Sequence, residues 1–150
     1  MRIVYFVLLF SLSYSQNYSP EWGSITSLLT PTGIQVTDEG IVYASTSGGL
    51  LEFNPVTEQF NFIKAEEGLV YLDLASIAID SQERIWLGGA YPNACLQVYD
   101  PEAGLVKYID NINSSATSIH KMQIGEDIAF AVFEGATSSE IGIIEFRFDS

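Results

Sequence analysis

Short runs of alternating apolar and polar residues recur along the chain, and the same order of runs appears three times. Clusters of Asp, Gly, Asn or Pro separate the runs, which is typical of half-buried β-strands joined by tight turns. The clearest landmarks are the aromatic residues in the second run of each unit, at spacings of 43 and 44 residues: Tyr43, Trp86 and Phe130. A repeat of this period predicts a fold built from stacked copies of one small unit.

Four short strands are predicted in each of the first two units. They lie at about 34–38, 41–46, 50–54 and 59–63, and at about 75–80, 84–88, 95–100 and 105–109. Tight turns are expected after the first strand, at Asp38-Glu39-Gly40 and at Asp80-Ser81-Gln82-Glu83. Further turns are expected after the third strand, at Asn54-Pro55 and Asp100-Pro101, where proline has no N–H group to donate. The third unit ends at Phe148-Asp149-Ser150 without a fourth strand.

Four antiparallel strands per unit at this period are typical of β-propeller blades. We therefore predict an all-β fold with about three four-stranded antiparallel blades in an incomplete ring, at about residues 34–74, 75–118 and 119–150, the third blade lacking its fourth strand. The aromatic rings of the second strands are expected to pack between neighbouring blades. The alternative is a pair of stacked antiparallel sheets in which the repeats are coincidental.

The number of units raises the question of how a ring closes. A propeller usually needs about 4 to 8 blades, so three units do not close a ring alone. The chain is therefore interpreted as the N-terminal part of a longer protein. Assembly with further copies of the same chain is the alternative.

The first 15 residues have the pattern of a signal peptide. Arg2 supplies a positive charge, residues 3–12 form a short apolar run, and Ser13-Tyr14-Ser15 places small residues before a cleavage ahead of Gln16. A buried strand or an uncleaved anchor is the alternative. No cysteine follows the apolar run, which excludes a lipid-modified N-terminus. The protein is therefore expected to be exported to the periplasm, the outer-membrane surface or the medium.

Residues 16–33 are interpreted as a leader, in which residues 22–29 form a strand that completes the last blade of a ring. The apolar run of residues 3–12 is shorter than the roughly 20 residues that span a bilayer. No transmembrane segment is expected once the signal peptide has been removed.

The charge of the chain excludes several classes of partner. Six Lys and Arg stand against 19 Asp and Glu, so the formal net charge is −13. Nucleic acids and anionic lipids both need cationic contacts, so neither is expected to bind. The single cysteine, Cys95, forms no disulfide within the chain and is expected to be a small buried hydrophobe.

Neither a catalytic residue nor a cofactor is predicted. His120 is the single histidine, so no ordinary zinc site is expected, and no Gly-x-Ser-x-Gly motif accompanies it. An acid pair such as Asp73 and Asp80 has the chemistry for glycoside hydrolysis, but Asp80 is already assigned to a turn.

Residues 110–114 cluster oxygen-bearing side chains without the frame of a calcium-binding loop, so a turn is expected there and cation binding stays open. The side chains are those of Asp110, Asn111, Asn113 and Ser114.

The second unit carries a resemblance to a known family. Its Glu67-Gly68-Leu69, its Arg84-Ile85-Trp86-Leu87-Gly88-Gly89 strand and its Tyr99-Asp100-Pro101 end resemble the two-component-regulator propeller repeat. Gly48-Gly49-Leu50 in the first unit matches the Gly-Gly-Leu step of that repeat, whereas the third unit departs from it at Phe130-Ala131-Val132-Phe133. The matching motifs are structural and imply a propeller without implying any chemistry.

Proteins with such repeats include PorZ-like components of the type IX secretion system and sensor regions of hybrid histidine kinases. The resemblance implies a non-catalytic scaffold outside the cytoplasm that binds a protein or glycan partner, in type IX secretion or in cell-surface assembly. A periplasmic sensor propeller of a hybrid histidine kinase and a polysaccharide-active propeller enzyme are the alternatives.

The partner is expected on the face formed by the loops between strands two and three and by the connections between blades. Four residues are the candidates for contact there, because they combine aromatic surface with hydrogen-bonding groups. They are Tyr71, Asp73, Tyr91 and Asn93. The alternative is that the tyrosines merely cover neighbouring blades.

Overall fold

The computed structural model describes residues 30–90, 93–126, 128–137 and 140–147. The predicted signal peptide and the predicted closing strand at 22–29 lie outside these residues. The described part of the chain contains eleven β-strands and no helix. The strands are β1 (Pro31–Val36), β2 (Val42–Thr46), β3 (Gly49–Asn54), β4 (Gln59–Ile63), β5 (Leu74–Ile79), β6 (Ile85–Gly89), β7 (Leu96–Asp100), β8 (Gly104–Ile109), β9 (Ala116–Ile124), β10 (Ile128–Gly135) and β11 (Ile141–Arg147).

The strands form three antiparallel sheets, each in simple up-and-down order. Sheet 1 is β1-β2-β3-β4, sheet 2 is β5-β6-β7-β8, and sheet 3 is β9-β10-β11. The all-β prediction and the prediction of repeated antiparallel units are confirmed. The first strand of sheet 1 begins at Pro31, a few residues earlier than expected, and β9 begins at Ala116.

Side-chain caps shape the turns that the sequence predicts. The Asn54 side chain accepts hydrogen bonds from the N–H groups of Val56 and Thr57 at 2.9 and 3.1 Å. Asp100 caps the equivalent turn of sheet 2 in the same way, with Glu102 and Ala103 as donors at 2.8 and 3.0 Å. These turns fix the register of the outer strand pair in both sheets.

Each sheet has two different faces, and the equivalent aromatic residues of the three units distinguish one face from the other. We call the face that carries Tyr43, Trp86 or Phe130 the forward face, and the opposite face the backward face. The forward face of sheet 1 packs on the backward face of sheet 2, where Ile77, Ile85, Leu87 and Tyr99 join Tyr43 in one buried cluster. The forward face of sheet 2 packs in the same way on the backward face of sheet 3, where Ala129, Ala131, Met122 and Phe146 belong to one cluster with Trp86.

The first strands of the three sheets lie side by side. Thr32 on β1 donates a hydrogen bond to the carbonyl of Leu74 at 2.8 Å, and Ser76 on β5 donates to the carbonyl of Ile119 at 2.6 Å. Sheets 2 and 3 approach closely enough to require glycine at position 88, because a Cβ atom there would lie 2.7 Å from the Cβ atom of Ile119 on β9. These three strands therefore form the inner edge of the stack.

The prediction for Phe130 is wrong. Tyr43 and Trp86 are 3% and 4% exposed between sheets, as expected, but Phe130 is 42% exposed. The reason is its position in the stack: Phe130 lies on the forward face of sheet 3, against which no described sheet packs.

The register also corrects the alignment at the end of the third unit. Tyr99 lies opposite Ile85, and the residue in the same position opposite Ala129 is Phe146, two residues before the predicted equivalent Phe148. Phe148 itself lies outside the described residues.

Candidate functional site

The connection between β4 and β5 crosses the end of sheet 2 and is held by one buried side chain. The Oε1 atom of Gln97 accepts hydrogen bonds from the N–H groups of Val70 and Tyr71 at 2.7 and 3.0 Å. Its Nε2 atom donates to the carbonyl of Tyr71 at 2.8 Å. Because Gln97 is fully buried, the backbone at Tyr71 is fixed to the core of the sheet.

Tyr71 lies against the outer strand of the same sheet. Its ring stacks on Tyr108 of β8 with 5.8 Å between ring centroids and 19° between ring planes. Burial raises the pKa of Tyr108, and the hydrogen bond with Tyr71 raises it further. Both rings are partly exposed, so Tyr71 covers sheet 2 and still presents surface to solvent.

Asp73 and Asn93 are exposed at the same end of sheet 2. The carbonyl of Asp73 accepts a hydrogen bond from the N–H group of Ala90 at 2.8 Å, which places the start of β5 beside the β6–β7 loop. The N–H group of Ala94 donates to the carbonyl of Ala116 at 3.1 Å, so the far side of that loop is tied to sheet 3. Asp73 and Asn93 therefore emerge from anchored backbone, while Tyr91 lies outside the described residues.

Cys95 lies beneath this loop and is completely buried, as expected. Burial and the nearby charge of Asp110 raise the pKa of its thiol to about 12. A thiol with so high a pKa is almost entirely protonated at neutral pH and is a poor nucleophile. Cys95 therefore supports the loop by packing.

A second polar group lies on sheet 3 near the inner edge of the stack. The Nε2 atom of His120 lies 2.5 Å from Oε2 of Glu134 and 2.9 Å from the hydroxyl oxygen of Ser118. The cluster borders an open cleft of about 570 Å³. The cleft is lined by Thr32, Ala75, His120, Lys121, Val132, Phe133, Glu134 and Ile141.

The geometry of this cluster differs from that of a catalytic triad. In a triad the hydroxyl and the carboxylate contact different nitrogen atoms of the imidazole, so that a proton moves across the ring. Here both oxygen atoms contact Nε2 of His120. The sequence did not reveal Glu134 as a partner, because a register shift between β9 and β10 brings it to His120 from 14 residues away.

Residues 110–114 form the expected turn. The side chain of Asn113 accepts a hydrogen bond from the N–H group of Ser115 at 3.0 Å, and its carbonyl accepts one from Ala116 at 3.0 Å. Asn111 has a positive φ of 50°, which asparagine tolerates well. Among the described residues no three His, Cys, Asp or Glu side chains converge as metal ligands.

An acidic cleft of about 580 Å³ opens between sheets 1 and 2 at the opposite end of the strands. Its carboxylates come from the turns, from β3 and from the end of β7, and they are those of Glu39, Glu52, Glu83, Asp100 and Glu102. The hydroxyl of Tyr43 donates to Glu52 at 2.9 Å at the base of this cleft. Burial and the hydrogen bond with Glu52 raise the pKa of Tyr43, so it stays a neutral donor. The negative field here repels phosphates and other anions.

No family model and no curated protein matches the sequence. A search for membrane-crossing helices found none within the described parts of the chain.

Proposed function

We propose that the chain is part of a non-catalytic β-propeller scaffold that acts outside the cytoplasm and binds a protein or glycan partner. The three stacked antiparallel sheets support the propeller architecture, because each sheet packs by the same faces on the next. The repeat motifs around Trp86 and Gly48-Gly49-Leu50 support a role like that of the secreted two-component-regulator propellers, in type IX secretion or cell-surface assembly.

The observation that carries the proposal is the anchored surface at the end of sheet 2 that the β4–β5 connection crosses, which we call the connection end. Gln97 fixes the backbone beneath Tyr71, and the Tyr71 ring is further held by Tyr108. Exposed Asp73 and Asn93 rise from backbone that is hydrogen-bonded to neighbouring strands. A surface that is already ordered loses little entropy on binding, which favours affinity.

The chemistry of this surface suits the proposed partners. Aromatic side chains contribute flat apolar area, and carboxamide and carboxylate groups bind the hydroxyl groups of sugars or the backbone of a peptide. The inert thiol of Cys95 and the arrangement around His120 both support a binding role over covalent chemistry.

Site-specific photo-crosslinking in the native host tests the proposal. A photoreactive phenylalanine derivative replaces Asn93 in one variant and Val56 in a control variant. Val56 is 87% exposed on the turn at the other end of the strands. The proposal predicts adducts from position 93 and not from position 56.

A glycan array provides the second arm of the test. Binding of the chain to immobilised polysaccharide, weakened by Tyr71→Ala and Asp73→Ala and unchanged by Val56→Ala, identifies a glycan as the partner. Equal crosslinking from positions 93 and 56, together with no glycan binding, contradicts the proposal. Release of sugars from a bound polysaccharide would show an enzyme instead.

A further inference from the structure

The acidic cleft between sheets 1 and 2 has a volume of about 580 Å³, which is the size that small ligands occupy. Residues from the turns of both sheets line it, together with Tyr43 and Glu52. Five of the ten described lining residues carry carboxylates, and none of the ten is Lys, Arg or His. Arg84, which follows Glu83 in the chain, is paired with Asp80 at 2.8 Å. The lining of the cleft therefore supplies no positive charge to balance its carboxylates.

One carboxylate of the cleft has an oxygen atom without a hydrogen-bond donor. Oε1 of Glu83 accepts a hydrogen bond from the N–H group of Asp38 at 3.0 Å, which ties the β5–β6 turn to the β1–β2 turn. Oε2 of Glu83 is buried and has no hydrogen-bond partner among the described residues. A buried acceptor without a donor is costly, so a ligand that donates to Oε2 stabilises this arrangement.

Two buried tyrosines lie next to the carboxylates. Tyr43 and Tyr99 are 3% and 8% exposed. The hydroxyl of Tyr43 donates to Glu52 at 2.9 Å, whereas that of Tyr99 forms no hydrogen bond within the described part of the chain. Burial raises the pKa of Tyr99, and the negative charges of Glu52, Glu67 and Asp100 raise it further. The field of the carboxylates thus reaches the tyrosines, and both stay neutral.

The free groups of the cleft define the chemistry of a ligand. Carboxylates only accept hydrogen bonds, so the matching ligand is a positively charged donor. A calcium ion needs several oxygen atoms around one point at about 2.3 to 2.6 Å. Among the described residues no three acidic side chains converge in that way. An organic cation with several ammonium groups spreads its charge along a chain, and Ile41, Pro101 and the Tyr43 ring offer contact to the methylene groups between them.

We propose that this cleft binds an organic cation that carries two or more ammonium groups. Glu52 from sheet 1 and Glu83 and Glu102 from sheet 2 are the counter-charges. A free polyamine and a lysine-rich segment of a polypeptide both carry this chemistry. The cleft lies at the opposite end of the strands from the connection end, so it is a second binding site beyond the partner surface proposed above.

Isothermal titration calorimetry of the full chain with spermidine at low ionic strength tests the inference. Saturable binding is expected, and Glu83→Gln is expected to weaken it at least about tenfold, because a charge-assisted contact is lost. Glu102→Gln removes an exposed charge and is expected to weaken binding about two- to fivefold. Glu126→Gln changes the net charge equally on an exposed turn of sheet 3 and is expected to leave the affinity within about twofold.

The variants are chosen to keep the fold. The amide oxygen of Glu83→Gln still accepts the hydrogen bond from Asp38, and Glu102 and Glu126 are exposed, so all three variants are expected to fold. A trilysine peptide with blocked termini is the second probe. If it binds more tightly than spermidine with the same dependence on Glu83, a polypeptide supplies the cation. The reverse order of affinities identifies a free polyamine.

Three results would overturn the inference. The first is that neither spermidine nor trilysine binds saturably. The second is that Glu83→Gln and Glu126→Gln weaken binding equally, which shows attraction to the net charge of the chain. The third is that Mg²⁺ binds as tightly as both probes, which shows a general cation site. These titrations use the purified chain and defined probes, so their failure leaves the photo-crosslinking at position 93 unaffected, and the two proposals fail separately.

Discussion

At the scale of single residues, the buried carboxylate of Asp80 organises the turn between β5 and β6. One oxygen of its carboxylate accepts hydrogen bonds from the N–H groups of Gln82 and Arg84, which shape the β5–β6 turn. The other accepts from the indole N–H of Trp86 and the Arg84 side chain, both at 2.8 Å. Asp80 thus links a tight turn to the aromatic residue that fills the interface between sheets 2 and 3.

Asp80→Asn is expected to destabilise the fold by about 2 to 3 kcal/mol. An amide NH₂ group in place of the oxygen that faces Trp86 and Arg84 opposes two donors with a third, so both hydrogen bonds to that oxygen are lost. Urea unfolding measures the change in the free energy of unfolding. Asp38→Asn in the exposed turn of sheet 1 is the control, with an expected change within about 0.5 kcal/mol. Equal effects of the two substitutions would contradict this role of Asp80.

The same contacts predict a pH dependence. Burial disfavours the charged form of Asp80, but its hydrogen bonds from Trp86, Gln82 and Arg84 outweigh burial and lower the pKa below its ordinary value. The stabilisation is therefore fully present above the unfolded-state pKa of about 3.9, and it is lost as the pH falls through the lower folded-state pKa. Asp80→Asn is expected to reduce the loss of stability in that acid range, as measured by urea unfolding at several pH values.

At the scale of elements, the β3–β4 turn of sheet 1 and the equivalent β7–β8 turn of sheet 2 share one position with a left-handed backbone. Glu58 ends the turn of sheet 1 with a φ of 58°, and Gly104 ends the equivalent turn of sheet 2 with a φ of 81°. A left-handed backbone costs a non-glycine residue about 1 to 2 kcal/mol, while glycine adopts it freely. The repeat therefore places a glycine and a glutamate in the same backbone conformation.

Glu58→Gly is expected to stabilise the protein by about 0.5 to 1 kcal/mol, because relief of the strain exceeds the entropic cost of glycine. Gly104→Ala is the reciprocal test, with an expected loss of about 1 kcal/mol. No heavy atom lies within 4 Å of the Cβ position at Gly104, so this loss reports on the backbone alone. Thermal unfolding of both variants checks the prediction, and a destabilised Glu58→Gly variant would contradict it.

Most elements could be predicted from the sequence because their signals are local. The turns at Asn54 and Asp100 depend on a side chain that caps N–H groups two and three residues ahead. The pairing of His120 with Glu134 could not be predicted, because it depends on a register shift between two strands. The equivalence of Tyr99 with Phe146 was missed for a different reason. The longer β10–β11 hairpin changes the spacing along the chain, although the pairing of β10 with β11 has no register shift.

The candidate site could likewise be predicted from the sequence only in part. Turn residues and aromatics marked the connection end, and Asp73 and Asn93 are exposed there as a partner surface requires. The support beneath Tyr71 was invisible in the sequence, because Gln97 lies 26 residues away and acts through the fold. Polar residues inside a strand give no local sign of the backbone that they hold.

At the scale of the whole molecule, the two faces of each sheet explain both the stable interior and the exposed ends. The forward faces of sheets 1 and 2 are covered and that of sheet 3 is open, although all three carry an aromatic residue in the same position. Equivalent aromatic residues are therefore expected to contribute unequally to the free energy of unfolding. Aromatic residues between sheets stabilise one copy of the chain, and Phe130 contributes chiefly when something packs on it.

The most direct test of the stacking order compares Trp86→Ala with Phe130→Ala by urea unfolding. Loss of the buried Trp86 ring is expected to cost about 3 to 5 kcal/mol. Loss of the Phe130 ring, which is 42% exposed, is expected to cost less than about 1 kcal/mol. Equal losses at the two positions would contradict the stacking order of the sheets and the open forward face on which the account depends.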